Sequence, residues 1–202
     1  ALINYKGETR PLPSDSLNFS SIRPKVILFD GHEPHISIPL AKYARENGIA
    51  TVLDAGSLHD GTSALKDLVD YLVCSEKFAR QYAGDDEKAL TRLAKISPAV
   101  VITLGEKGLI WQRGGKRGEL PAFNVKAVDT TGAGDAFHGA FAAAVADGGM
   151  DWVDTLYFSS AAGSLCCTKT GARTGLPSIE EHRALYHKRK KESQIKKPAD
   201  RP

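Results

Sequence analysis

The chain has 202 residues, 42% of them hydrophobic and 25% charged, which suits one α/β domain with its own core, or such a domain with a small appendage. Its formal net charge of +3 is slight and gathers in the last stretch, "HKRKKESQIKKPADRP". No basic face with interleaved aromatics suits nucleic acid, and no apolar run is long enough to span a bilayer. Three cysteines, Cys74, Cys166 and Cys167, an odd number with an adjacent pair, argue for reduced thiols and a cytoplasmic location rather than a disulfide framework.

In chain order, "KVILFD" (25–30) and "ATVLDA" (50–55) are short apolar runs of strand type. Between them "PHISIPLAKYARENG" has helical spacing and closes on Gly48, a C-terminal cap signal. "YLVCS" (71–75) predicts a third strand, followed by two short helices, "EKFARQYAG" and "DDEKALTRLAKIS"; "AVVITL" (99–104) predicts a fourth. Continuous apolar strands alternating with amphipathic helices indicate a mostly parallel sheet with helices on both faces. "GLIWQRGGKRGEL" reads as a hairpin turning at Gly114-Gly115. "AFHGAFAAAVADGG" and "DWVDTLYFSSAAGSLCCTKTG" predict two helices rich in small residues, with Asp151 as an N-cap and Gly171 as a C-terminal stop. The basic stretch 187–202 lacks periodic apolar residues and reads as a solvated, frayed, disordered tail.

"VDTTGAGDAFHGAF" (128–141) places a glycine turn just before a helix. Bared backbone amides and the helix dipole make an anion site there without any basic side chain. The pattern is neither G-x-x-x-x-G-K-[ST] nor G-x-G-x-x-G with an acid further on. Asp135 can be a plain helix cap, or an acid placed to take the proton from a hydroxyl that attacks a phosphoryl group. The residues alone leave both readings open.

"DTTGAGDAFHGAF" resembles the D-T-x-G-A-G-D signature of the ribokinase-like, or pfkB, family of carbohydrate kinases. "VVITLGEKG" resembles the family's nucleotide loop, and "AAGSLCCTKTGARTGLP" its late helix and adenine loop. "VLDAG" and "YLVCSEKFARQYAG" fall in the same order, so the likeness runs over residues 25–177. It implies a ribokinase-like α/β fold and ATP-dependent phosphorylation of a sugar hydroxyl. Asp135 would be the catalytic base, with the amides of Gly132, Ala133 and Gly134 as an anion hole. Thr103, Gly105, Gly108 and Gly171 would lie at the ATP, with Mg2+ on its phosphates. Asp129, Thr131, Cys166, Lys169 and Gly171 fall on positions that hold a monovalent cation such as K+ in many members, mostly through main-chain carbonyls, and Lys169 could stand in for that cation.

Two departures from the family pattern matter. The magnesium-organising N-x-x-E is replaced by Ser75-Glu76-Lys77-Phe78, a loss shared with ketohexokinases, which favours a ketose over a nucleoside. The family's Gly-Gly sugar motif and most of its β-lid are not found; residues 1–24 read as a lid remnant and linker, and 25–186 as the nucleotide-binding and catalytic domain. The opening "ALINYKGETR" has no initiating Met and reads like a piece from the middle of a fold. A homodimer through the lid is the implied assembly, and a non-catalytic nucleotide-binding module is the rival reading. In "DGHEPH" the interrupted spacing disfavours zinc, and Asp30 and His32 are better read as lining a sugar pocket at a strand's carboxyl end. His138 reads as a packed or solvated helix residue near the phosphates, and Trp111 and Trp152 as core or rim.

Overall fold

In the computed structural model, Pro13 and residues 23–195 are described. The lid remnant and linker expected over residues 1–24 therefore lie, apart from Pro13, Arg23 and Pro24, outside the described residues. Strands β1 (Val26–Phe29), β2 (Ala50–Ala55), β3 (Tyr71–Ser75) and β4 (Ala99–Thr103) are parallel neighbours in sequence order. The antiparallel pair β5 (Leu109–Arg113) and β6 (Lys116–Leu120) completes a six-stranded sheet ordered β1 to β6. Parallel neighbours need crossovers, and helices supply them: α1 (Pro34–Glu46), α2 (Asp60–Leu65), then α3 (Glu76–Ala83) with α4 (Asp86–Leu93). The hairpin turns on Gly114 and Gly115, with φ of 56° and 76°, a pair of left-handed conformations that two-residue turns between twisted strands require.

Strand alternation separates two cores. Leu53, Leu72, Cys74, Val100 and Ile102 face one side, where they pack on Ala41 of α1, Leu65 of α2, Phe78 of α3 and Leu90 and Leu93 of α4. Val52, Val73, Val101, Leu109 and Trp111 face the other, against Phe137 and Phe141 of α5 (Ala133–Asp147) and Leu156 of α6 (Trp152–Cys166). Phe78 and Phe141 are wholly buried, and each such side chain contributes ~1.5–3 kcal/mol. At the far side of the second core the rings of Trp111 and Trp152 meet edge to face at 5.8 Å, and the Arg113 guanidinium lies 4.8 Å from the Trp152 ring.

Four sequence readings change. The glycine turn does not precede α5 but enters it: only Gly132 lies outside, and Ala133 and Gly134 are its first residues. Gly171 does not stop the preceding helix; α6 ends at Cys166, and Gly171, with φ of 88°, caps the start of the short α7 (Ala172–Gly175). The short α2 lay in a stretch with no helical reading. The basic tail is helical through Ile195 as part of α8 (Ile179–Ile195). His182 and Tyr186 anchor α8 on α6, both with rings edge-on to Phe158, and His182 Nε2 lies 2.8 Å from the Phe158 carbonyl. Two anchors one helical turn apart are too short a stripe to stand out among lysines and arginines. Among the described residues no helix is long and apolar enough to cross a membrane.

Candidate active site

The carboxyl ends of the parallel strands and the N-terminus of α5 meet at one end of the sheet, where ligands gather in open α/β folds. Gly132 makes the entry to α5: its φ is 80°, and a Cβ there would sit 2.6 Å from the Ala172 Cβ. Position 132 thus excludes any side chain on two counts. Asp129 ties this entry to the loop before α7, its two carboxylate oxygens accepting from the amides of Thr131 (2.9 Å) and Gly171 (2.8 Å). A hydrogen bond from the Thr131 side chain first, then those from the two amides, hold the Asp129 carboxyl below the usual range.

The resemblance grouped three amides as one anion hole, but they differ in this structure. Ala133 N donates to Thr130 O at 3.2 Å. Gly134 and Asp135, in the first helical turn, have no intrahelical acceptor for their amides, and the positive end of the helix dipole lies there. A Cβ on Gly134 would meet nothing within 4 Å, so its face is open to a ligand.

A cleft of about 720 Å³ joins this turn to the end of β4, bringing Thr103, Gly105 and Gly108 together with Ala133 and Gly134. After β4 the chain makes one 3-10 turn, closed by Leu104 N donating to Gly108 O at 2.7 Å. Gly108 has φ of 95°, and any Cβ there would run into the Leu120 carbonyl of β6. Gly163 of α6 also lines the cleft; a Cβ on it would be 3.0 Å from the Ala133 carbonyl, which is how α6 comes so near the turn. Gly171 lies outside the cleft lining and meets the site through Asp129.

Asp30 and His32 stand after β1. Asp30 Oδ1 accepts from the His32 amide at 2.9 Å, and the His32 ring stacks on His59 with centroids 5.3 Å apart. Between them and Asp135 stands a residue the sequence reading passed over, Asp54 at the end of β2. Burial raises its carboxyl above the ordinary range, His138 opposes that, Asp135 and Asp30 push further up, and His32 pulls down. The rule that singles out Asp30, an acid at the carboxyl end of a parallel strand, applies equally to Asp54. His138 is packed, only 4% exposed, with Nδ1 3.2 Å from Asp54 Oδ2.

The Ser75-Glu76-Lys77-Phe78 stretch has a structural account. Ser75 caps α3, accepting from Phe78 N at 3.1 Å and donating to Gly56 O at 2.8 Å, while Phe78 is core. Glu76 pairs with Arg80 and Lys107 at 2.6 Å and 3.2 Å. Of the residues at the cation positions, Cys166 has its thiol 3.7 Å from the carbonyls of Thr131 and Ala172. The Lys169 ammonium pairs with Glu181 at 3.0 Å, so its charge is engaged by α8 rather than by those carbonyls. Among the described residues no group of three His, Cys, Asp or Glu side chains could hold a metal ion. All three cysteines are free, and burial pushes the Cys74 thiol far up, leaving it inert.

The chain is similar in sequence and fold to several known kinases. A ribokinase of Lactococcus lactis is 30% identical over 162 residues, 79% of this chain and 53% of that protein. Fructokinase-2 of Solanum lycopersicum is 32% identical over 159 residues, 74% of this chain and 45% of that protein. The chain spans about half the length of the curated relatives it matches. The crystal structure of a ribokinase from Thermotoga maritima superposes with a TM-score of 0.77 at 28% identity, covering 87% of this chain and 61% of that one. The ribokinase of Arabidopsis thaliana complexed with ribose and ATP gives 0.73 at 28% identity, covering 80% and 55%. The sequence profile of the pfkB family carbohydrate kinases matches residues 28–179, and the chain belongs to that family.

Proposed function

We propose that the protein carrying this chain transfers the γ-phosphoryl group of ATP to a primary hydroxyl of a small sugar. The observation that carries the reading is the cleft that joins the β4 loop to the open first turn of α5, with Asp135 in that same turn. ATP would lie along Thr103, Gly105 and Gly108, its terminal phosphate at the Gly134 and Asp135 amides. Asp135 would take the proton of the sugar hydroxyl as the oxygen attacks in line, and the amides would stabilise the charge on the transferred group. Asp30 and His32 would border the sugar. A ketose or ribose-type acceptor suits the relatives named above, and Phe78 in place of a carboxylate favours the ketose.

The Ser75–Phe78 stretch does not fit the family's carboxylate motif for Mg2+, since its first residue is a helix cap and its last is core. Mg2+ would then be carried by the ATP phosphates, whose charge it would neutralise. A monovalent cation would draw on the carbonyls of Thr131 and Ala172, which both lie 3.7 Å from the Cys166 thiol and are hard oxygen donors of the kind K+ takes. Cation dependence is read by replacing K+ with choline in the assay.

The test is ADP release from Mg-ATP with a panel of ketoses, aldopentoses and nucleosides. Release that depends on one sugar class supports the proposal, and ATP binding with no acceptor-dependent release leaves the non-catalytic module as the reading.

A further inference from the structure

Both ring nitrogens of His138 face hydrogen-bond acceptors. Its Nδ1 lies 2.6 Å from the Gly134 carbonyl, one turn back on α5, and 3.2 Å from Asp54 Oδ2 at the end of β2. Its Nε2 lies 3.2 Å from the Val73 carbonyl of β3. The side chain is 5% exposed, so water does not substitute for these partners. A neutral imidazole has one N–H and one bare lone pair, and here that lone pair would face an oxygen lone pair at hydrogen-bond distance. With Asp54 ionised, a ring carrying hydrogen on both nitrogens donates to all three acceptors at once.

The Gly134 carbonyl belongs to the same peptide unit as the Asp135 amide. In a helix the carbonyl points along the axis and the N–H points back toward the N-terminus, here toward the open turn. A charged donor on that carbonyl fixes the peptide's orientation and polarises its N–H.

We propose that His138 is a positioning residue of the active site: doubly protonated, it joins the first turn of α5 to β2 and β3, orients the Gly134–Asp135 peptide toward the phosphoryl group, and holds Asp54 ionised beside Asp135. The proposal rests on the phosphotransferase reading. The charged and titratable groups around the pair are Asp54 on β2, Asp135 on the same helix, and Asp30 with His32 after β1; β3 contributes the Val73 carbonyl. Burial works against an ionised Asp54, and among its neighbours His138 opposes that most strongly.

Two measurements test it. The first is independent of activity. In protein labelled with 15N in its histidines, the ring nitrogens of His138, assigned by difference with His138→Asn, both show the shift of protonated nitrogen at neutral pH, and Asp54→Asn returns one of them to the bare-nitrogen range. One bare nitrogen in the unsubstituted protein overturns the proposal, whether or not the protein is a kinase. The second is kinetic, with the sugar that supports turnover. His138→Leu keeps bulk but no donor, and lowers kcat about 10- to 100-fold with the KM for ATP little changed. His138→Asn places an amide near the Nδ1 position and restores most of the loss. Thermal unfolding of both variants shows whether they are folded. Normal kcat in a folded His138→Leu protein refutes the positioning role, and equal loss in both variants reduces His138 to a packing residue.

Discussion

Replacing Gly132 and Gly134 by alanine, one at a time, separates two uses of glycine that lie two residues apart. At Gly132 the backbone is left-handed, with φ of 80°, which costs an L side chain roughly 1–2 kcal/mol. The new methyl would also lie 2.6 Å from the Ala172 Cβ and 2.9 Å from its Cα, so α7 must shift, adding about 1–3 kcal/mol of overpacking. Together these remove about 2–5 kcal/mol from a total stability of roughly 5–15 kcal/mol. In a domain of this size that lowers Tm by roughly 2–4 °C per kcal/mol, and the loss appears without any ligand. Gly134 has no positive φ and open space where its Cβ would go. Alanine there is tolerated by the fold and stabilises it by about 0.4–1 kcal/mol through the unfolded chain. The same methyl stands where a phosphate must approach the Gly134 and Asp135 amides, and weakens ATP binding about tenfold. Urea unfolding and calorimetric ATP titration of both variants read the two effects. The reasoning fails if Gly132→Ala is as stable as the unsubstituted protein, or if Gly134→Ala binds ATP with full affinity.

Asp135→Asn should lower turnover by on the order of 10²- to 10⁴-fold with ATP affinity little changed, measured by steady-state ADP release; near-normal turnover would leave Asp135 a helix cap. Asp129 titrates below its unfolded value, so the stability it contributes is present above the ordinary carboxylate range and disappears as pH falls through the lowered value. Asp129→Asn should therefore flatten the acid limb of a stability-versus-pH curve, and an unchanged limb would contradict the hydrogen-bond account. Asp54 has the opposite sign: its raised carboxyl costs stability as pH rises past the ordinary range. Ser75→Ala removes the cap of α3 and the tie to Gly56, for a loss of about 1 kcal/mol in urea unfolding.

The fold was legible wherever a segment is buried on both sides or turns on glycine. β2, β3 and β4 are predominantly apolar runs because helices cover both faces, and Gly114-Gly115 marks the hairpin because only glycine takes two positive φ values in succession cheaply. The glycine turns of the candidate site were legible for the same reason: Gly132 and Gly108 are fixed by left-handed backbone and close approach, and these constraints leave a motif. Asp54 and His138 left none. Each is a single polar residue in an ordinary setting, and their pairing spans 84 positions of sequence (138 minus 54), which no local pattern carries. The start of α5 was misjudged because a helix tolerates glycine in its first turn, where the amides need no partner from within.

The Trp111–Trp152 pair has a practical consequence in optical spectroscopy. These are the only two tryptophans of the chain, one on β5 and one at the start of α6, so the whole indole signal arises from a single seam between the sheet and the helical layer. Both indole N–H groups are buried without a hydrogen-bond partner among the described residues, a setting that favours emission at short wavelength. Neither ring lines the cleft that joins β4 to α5. Tryptophan emission should therefore follow the parting of α6 from the hairpin, with neither ring in contact with a ligand placed in that cleft.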